Sequence, residues 1–140
     1  MRSDHKDYSA TPLAKKLGIR EASLVHVASA PDGFDDLLAP LPGGVEFAST
    51  ASLGLDVAVL FVTREKDLRK RFASLIARLD PAGRLWVAWP KKAADTDTDL
   101  GFDTVQRIGL DAGLVDNKSA SITDEFQGLQ FVYRLKDRPK

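Results

Sequence analysis

The chain has 140 residues and a mass of 15.3 kDa, the size of one domain rather than two, and its twenty basic residues cancel twenty acidic ones. That balance argues against a generic polyanion-coating protein, so no nucleic-acid partner is expected, while local charged patches stay open. With no cysteine, thiolate nucleophiles, Cys-ligated zinc, iron–sulfur clusters and redox switching are excluded; the lack of an apolar secretory core in residues 1–20 and of any membrane-length apolar run makes the cytoplasm the expected location.

Residues 1–10 are polar and aperiodic and read as a flexible lead-in; residues 11–136 read as one α/β domain and 137–140 as a tail. Thr11 is placed to cap a short helix that starts at Pro12 and stops at Gly18, with Leu13 and Leu17 one turn apart. Residues 23–29 form a strand pattern broken by Ala30-Pro31-Asp32-Gly33. A short helical pattern around Phe34, Leu37 and Leu38 follows and is closed by Pro40 and Pro42. Residues 45–48 are a weaker strand, and a linker of small residues leads to Leu55.

Residues 56–62 are apolar at nearly every position, as expected of a strand covered on both faces in a parallel sheet. After Thr63, a candidate cap, Leu68, Phe72, Leu75, Ile76 and Leu79 share one helical stripe. Asp80-Pro81-Ala82-Gly83 reads as a turn into a buried strand over residues 84–89 that Pro90 stops. This strand–helix–strand unit implies two parallel strands whose carboxyl ends share an edge. A polar loop then carries Lys91 to Asp99. Phe102, Val105, Ile108 and Ala112 predict a helix with Asp99 or Asp103 at its positive end and Gly113 as its stop. Residues 114–122 and 129–135 are too close in sequence for anything but an antiparallel hairpin.

The pattern predicts a three-layer, Rossmann-like α/β fold with a mostly parallel sheet ending in an antiparallel hairpin. In topology it resembles a reduced class I methyltransferase fold, one strand and one helix short after residues 45–48. In wording the chain resembles a bacterial family known as a domain of unknown function. The phrases that carry this are Tyr8-Ser9-Ala10-Thr11-Pro12-Leu13-Ala14-Lys15-Lys16-Leu17-Gly18, Leu85-Trp86-Val87-Ala88-Trp89-Pro90-Lys91-Lys92, Thr98-Asp99-Leu100, Gly113-Leu114-Val115-Asp116-Asn117-Lys118 and Gly128-Leu129-Gln130-Phe131-Val132. That resemblance implies kinship from Tyr8 to about Leu135 and supplies no catalytic residue.

Ligands of such folds bind beyond the carboxyl ends of the strands, where strand order reverses. One candidate there is a nucleotide or S-adenosylmethionine site at Ser29, Asp32, Gly33 and Thr63. The sequence weighs against it: the turn has one glycine, Pro31 lacks an N–H, and no carboxylate follows the second strand to hold a ribose. A second candidate is a small anionic ligand at Pro90, Lys91, Lys92, Thr98, Asp99, Asn117 and Lys118, where two ammonium groups follow a strand end. The alternating carboxylates of Asp95, Asp97 and Asp99 miss the EF-hand pattern, because Leu100 stands where that loop needs glycine, and they read as a solvated loop. His5 lies in the lead-in and His26 inside a strand, so no Ser-His-Asp set forms. Trp86 and Trp89, an odd number of residues apart, point to opposite faces and cannot make one stacking platform.

No nucleophile, base and cofactor fingerprint coincide. The expectation is therefore a non-catalytic binding or interaction module, with an S-adenosylmethionine-dependent methyltransferase of degenerate motif as the alternative. Leu129, Phe131, Tyr133 and Leu135 share one hairpin face and would support a homodimer, unless a helix of the same chain covers them.

Overall fold

The computed structural model describes residues 12–48 and 52–134. The expected cap Thr11, the lead-in with His5 and the tail lie outside the described residues. The elements are α1 (Leu13–Lys16), β1 (Leu24–Ala28), α2 (Phe34–Leu38), β2 (Glu46–Phe47), β3 (Leu55–Phe61), α3 (Glu65–Ile76), β4 (Leu79–Pro90), a 3₁₀ turn (Lys92–Ala94), α4 (Phe102–Asp111), β5 (Leu114–Ser121) and β6 (Phe126–Tyr133).

The six strands form one sheet in the order β2-β1-β3-β4-β6-β5. Strands β1 to β4 run parallel; β6 lies antiparallel between β4 and β5. β3 is central, and all its residues except Asp56 are buried, as its unbroken apolar run requires. Its neighbours bury their two faces into separate layers. On one face, Leu68, Phe72 and Leu75 of α3 and Val105 and Ile108 of α4 pack with Leu60, Leu85, Val87, Trp89 and Phe131. On the other, Ala14 of α1, Leu17 at its end, and Phe34 and Leu38 of α2 pack with Val57, Val59, Phe61 and Trp86. Trp86 and Trp89 thus lie in different layers, as their spacing demands. Indole Nε1–H of Trp86 donates to the Leu17 carbonyl at 3.0 Å, which fixes the end of α1 to the sheet.

Three boundaries differ from the sequence pattern. α3 ends at Ile76, and Leu79 belongs to β4, because the sheet ladder pairs it with Leu55. The pairing then jumps to Val57 with Arg84, so Asp80-Pro81-Ala82-Gly83 is an irregularity inside β4 rather than a turn before it; the Asp80 carboxylate accepts the Ala82 N–H at 2.9 Å. β6 begins at Phe126 rather than Leu129, since the Thr123 hydroxyl accepts the N–H groups of Glu125 and Phe126 and closes the hairpin early. Helix α4 covers the hairpin face of Leu129 and Phe131, and a Cβ on Gly109 would overlap the Phe131 ring. Leu135, the last residue of the face proposed for a homodimer, lies outside the described residues.

Candidate functional site

β1, β3 and β4 deliver their exits to one edge. Ala28 pairs with Leu60 and Phe61 with Ala88, so Ser29, Val62 and Pro90 leave the sheet on the same side. The chain passes from β1 outward to β2 and then back across to β3, so strand order reverses at β1. In open α/β sheets this is where the connections splay apart and leave a crevice.

The loops after β3 and β4 are tied together rather than splayed. Thr98 donates its hydroxyl to the Thr63 carbonyl at 2.6 Å and accepts the Leu100 N–H at 3.1 Å. Asp99 accepts the Glu65 N–H at 2.8 Å, so it caps α3, not α4; Thr63 does not cap, and the N-cap residue Arg64 makes no side-chain cap bond. Asp97 pairs with Arg64 at 2.6 Å, and this hydrogen bond and charge hold the guanidinium still more firmly protonated. These carboxylates therefore face α3. Beside the knot lies a cavity of about 470 Å³ whose walls include Trp89, Pro90, Lys91, Lys92, Thr98 and Gln127. Lys91 reaches from its rim to the Ser121 hydroxyl at 2.7 Å.

Asn117 and Lys118 do not join this cluster. They lie within β5, Lys118 three residues before Ser121 and so about 10 Å down the strand from the Lys91 contact. Lys118 donates to the Lys16 carbonyl at 3.0 Å, on the α1 side of the sheet, and Asn117 accepts from the buried Gln130 amide at 2.8 Å. The cavity of Lys91 and Lys92 opens on the α4 side, against Leu100, Gly101 and Phe102. The two sets belong to different strands and to opposite faces of the sheet, linked through the Lys91 contact with Ser121 of β5.

The residues of the other candidate also divide. Ser29, with φ 61, accepts a hydrogen bond from Arg71 Nη1 at 2.8 Å. Gly33 starts α2 at φ 85, a conformation that favours glycine, with no atom within 4 Å of where a Cβ would stand. Asp32 turns instead to a separate cavity of about 510 Å³ between α1, the β1–α2 turn and the hairpin, lined by Leu13, Lys16, Leu37, Ile122 and Glu125 among others. Thr63 contributes its carbonyl to the knot.

What remains beside β1 is a cavity the sequence did not disclose. It measures about 500 Å³, lies beyond the short β2 and is lined by His26, Val27, Ala30, Asp35, Leu38, Leu41, Phe47 and Ala48. Its walls are mainly apolar, and the Phe47 ring, 51% exposed, is open to contact from the cavity. Asp35, in the first turn of α2, is its one carboxylate. His26 is half-buried, and its Nδ1 lies 3.3 Å from the Ala48 carbonyl. A carbonyl only accepts, so the ring donates through Nδ1 and turns Nε2 away from this contact. No local sequence pattern marks these groups as neighbours.

Solved structures share this fold. Over 94% of this chain and 87% of its own, the DhpI complex with S-adenosylhomocysteine superposes with a TM-score of 0.62 at 11% identity. A TehB-like S-adenosylmethionine-dependent methyltransferase from Corynebacterium glutamicum gives 0.57 at 11% identity, over 87% of this chain and 85% of its own. LepI in complex with S-adenosylmethionine gives 0.56 at 14%, over 91% of this chain. The chain has a class I methyltransferase-like fold. It spans about half the LepI chain, 48% of its length. No protein-family model and no curated protein matches it, so the resemblance to a bacterial family rests on sequence phrases alone. Among the described residues, no helix is long and apolar enough to cross a membrane.

Proposed function

We propose that the chain is a reduced methyltransferase-like protein that binds a nucleoside of the S-adenosylmethionine class in the cavity beyond β1 and β2. The observation that carries this reading is that cavity: it adjoins the strand-order reversal, its size falls within the range of small-molecule sites, and one carboxylate stands among apolar walls. The half-exposed Phe47 ring suits the face of a purine. The second strand ends at Phe47 and is followed by Ala48, without the usual ribose-binding carboxylate, but Asp35 lines the same space from α2 and can accept from ribose hydroxyls. The residues present therefore fit the nucleoside half of such a ligand. The glycine-poor turn, with Pro31 short of an N–H, fits a tightly cradled tail less well. When bound, S-adenosylmethionine supplies an activated methyl group. This chain's own part would be to seat and orient it, work that needs no nucleophile or base among its side chains. The fold shared with methyltransferases supports this reading over a purely non-catalytic module.

Calorimetric titration with S-adenosylhomocysteine tests it. Saturable binding at micromolar concentration or tighter is expected, with Asp35→Asn weakening it about tenfold through loss of a charge-assisted hydrogen bond. No heat at millimolar ligand would dispose of the reading.

A second reading, a small anionic ligand, is favoured by one observation. Lys91 and Lys92 wall the 470 Å³ cavity, and the Lys92 ammonium has no partner among the described residues. Under this reading phosphate competes for that cavity and leaves the β1 cavity unchanged.

A further inference from the structure

Three arginines lie at the start and middle of α3, and two are matched by carboxylates. Arg64 pairs with Asp97 at 2.6 Å and Arg69 with Glu65 at 2.9 Å. Arg71 is different. Half-buried, it has no carboxylate partner among the described residues; its Nη1 donates to the Ser29 hydroxyl at 2.8 Å. That bond links α3 to the first residue beyond β1, the strand at which sheet order reverses. The next residue, Ala30, is a wall of the cavity beyond β2.

Ser29 adopts φ 61, a left-handed conformation that glycine reaches without the steric cost borne by any residue with a Cβ. Serine at this position offers something glycine lacks, a hydroxyl that accepts from the guanidinium. An arginine carries five N–H donors in a rigid plane, a fork that matches a carboxylate or phosphate. With one donor held by Ser29, the guanidinium is tethered beside the exit of β1 with further donors to offer. A nucleoside seated against Phe47 and Asp35 would extend its 5′ substituent past Ala30 toward this group.

We infer that Arg71, positioned by Ser29, recognises an anionic tail, carboxylate or phosphate, on the ligand of the β1 cavity. The inference rests on the nucleoside reading of that cavity and adds the feature that selects among nucleosides. It also names a substitute for the missing glycine-rich turn: the tail is held by a guanidinium from α3 in place of backbone N–H groups from the β1–α2 turn.

Three ligands separate the possibilities in calorimetric titration of the full chain: S-adenosylhomocysteine with a carboxylate tail, adenosine monophosphate with a phosphate, and 5′-methylthioadenosine with no anion. The wild-type protein is expected to bind one of the two anionic ligands about tenfold or more tighter than methylthioadenosine. Arg71→Met abolishes that preference while methylthioadenosine affinity stays within about twofold, and Arg71→Lys restores only part of it, since a point charge cannot fork. Ser29→Gly relieves a strained backbone but frees the unfolded chain, so its melting temperature stays within about 2 °C of wild type while the tail preference falls severalfold. A bond that served stability alone would move those two readouts together. If methylthioadenosine binds and the anionic ligands bind wild type and Arg71→Met equally well, the assignment of Arg71 is overturned and the nucleoside cavity stands. Preference for adenosine monophosphate over S-adenosylhomocysteine upholds Arg71 and overturns the methyl-donor reading. Binding of none of the three overturns both.

Discussion

Replacing Asp99 decides whether the polar segment after β4 is there for a ligand or for the fold. Its carboxylate accepts the Glu65 N–H at 2.8 Å, and α3 has no capping side chain of its own. Asp99→Ala therefore leaves the first turn of a twelve-residue helix uncapped. Loss of a cap costs about 0.5–2 kcal/mol, and removing a negative charge from a helix N-terminus about 0.3–1 kcal/mol. The two overlap, and solvent exposure of Asp99 screens the second, so about 1–2 kcal/mol is expected for the pair. For a chain of this length that corresponds to a fall of about 3–8 °C in melting temperature. Asp99→Asn keeps an oxygen for the N–H and should lose less than half as much, a difference that shrinks in 0.5 M salt. Equilibrium urea unfolding of the three proteins, followed by tryptophan fluorescence and far-UV circular dichroism, measures this directly. An Asp99→Ala protein within about 0.3 kcal/mol of wild type would refute the capping role and return Asp99 to the list of ligand groups.

Two further substitutions test the packing that frames the site. Gly109→Ala would gain about 1 kcal/mol from helix propensity alone, yet its Cβ would overlap Phe131, a buried ring already held edge-on by Phe72 at 5.4 Å; a net loss of about 1–2 kcal/mol in urea unfolding is expected, and a stabilised variant would contradict the close approach of α4 to β6. Trp86→Phe strands the Leu17 carbonyl and opens a void, costing about 2–4 kcal/mol, with hydrogen exchange at the Leu17 and Ile19 amides rising more than elsewhere; unchanged protection there would contradict the docking of α1 through the indole.

The layers were legible because burial writes a strong pattern. The apolar run of β3 can be satisfied only by cover on both faces, and the Leu68, Phe72, Leu75 stripe only by a helix against a sheet. The shared edge of β1, β3 and β4 followed from chain connectivity. Leu79 could not be placed by the same means, because i, i+4 spacing says which side a residue faces but not where the helix yields to a strand; pairing with Leu55 settles that. The polar residues were harder. Asp99 caps a helix 34 residues upstream in sequence, and nothing local distinguishes it from Asp103, which does lie in the first turn of α4. Asn117 and Lys118 look like rim residues until the register of β5 places them partway down the strand on the α1 side. Asp35, His26 and Arg71 come from a helix, a strand and a second helix, so only the folded chain shows that Asp35 and His26 line one cavity and that Arg71 reaches Ser29 just past β1.

The most direct test is to map where S-adenosylhomocysteine touches the protein, by titrating it into isotopically labelled chain and following backbone amide shifts. Perturbations centred on Val27, Ala30, Asp35, Leu41 and Phe47, extending to Ser29 and Arg71, are the predicted result. Shifts confined to Lys91, Lys92 and Gln127, or none at saturating ligand, would contradict a nucleoside cavity beside β1.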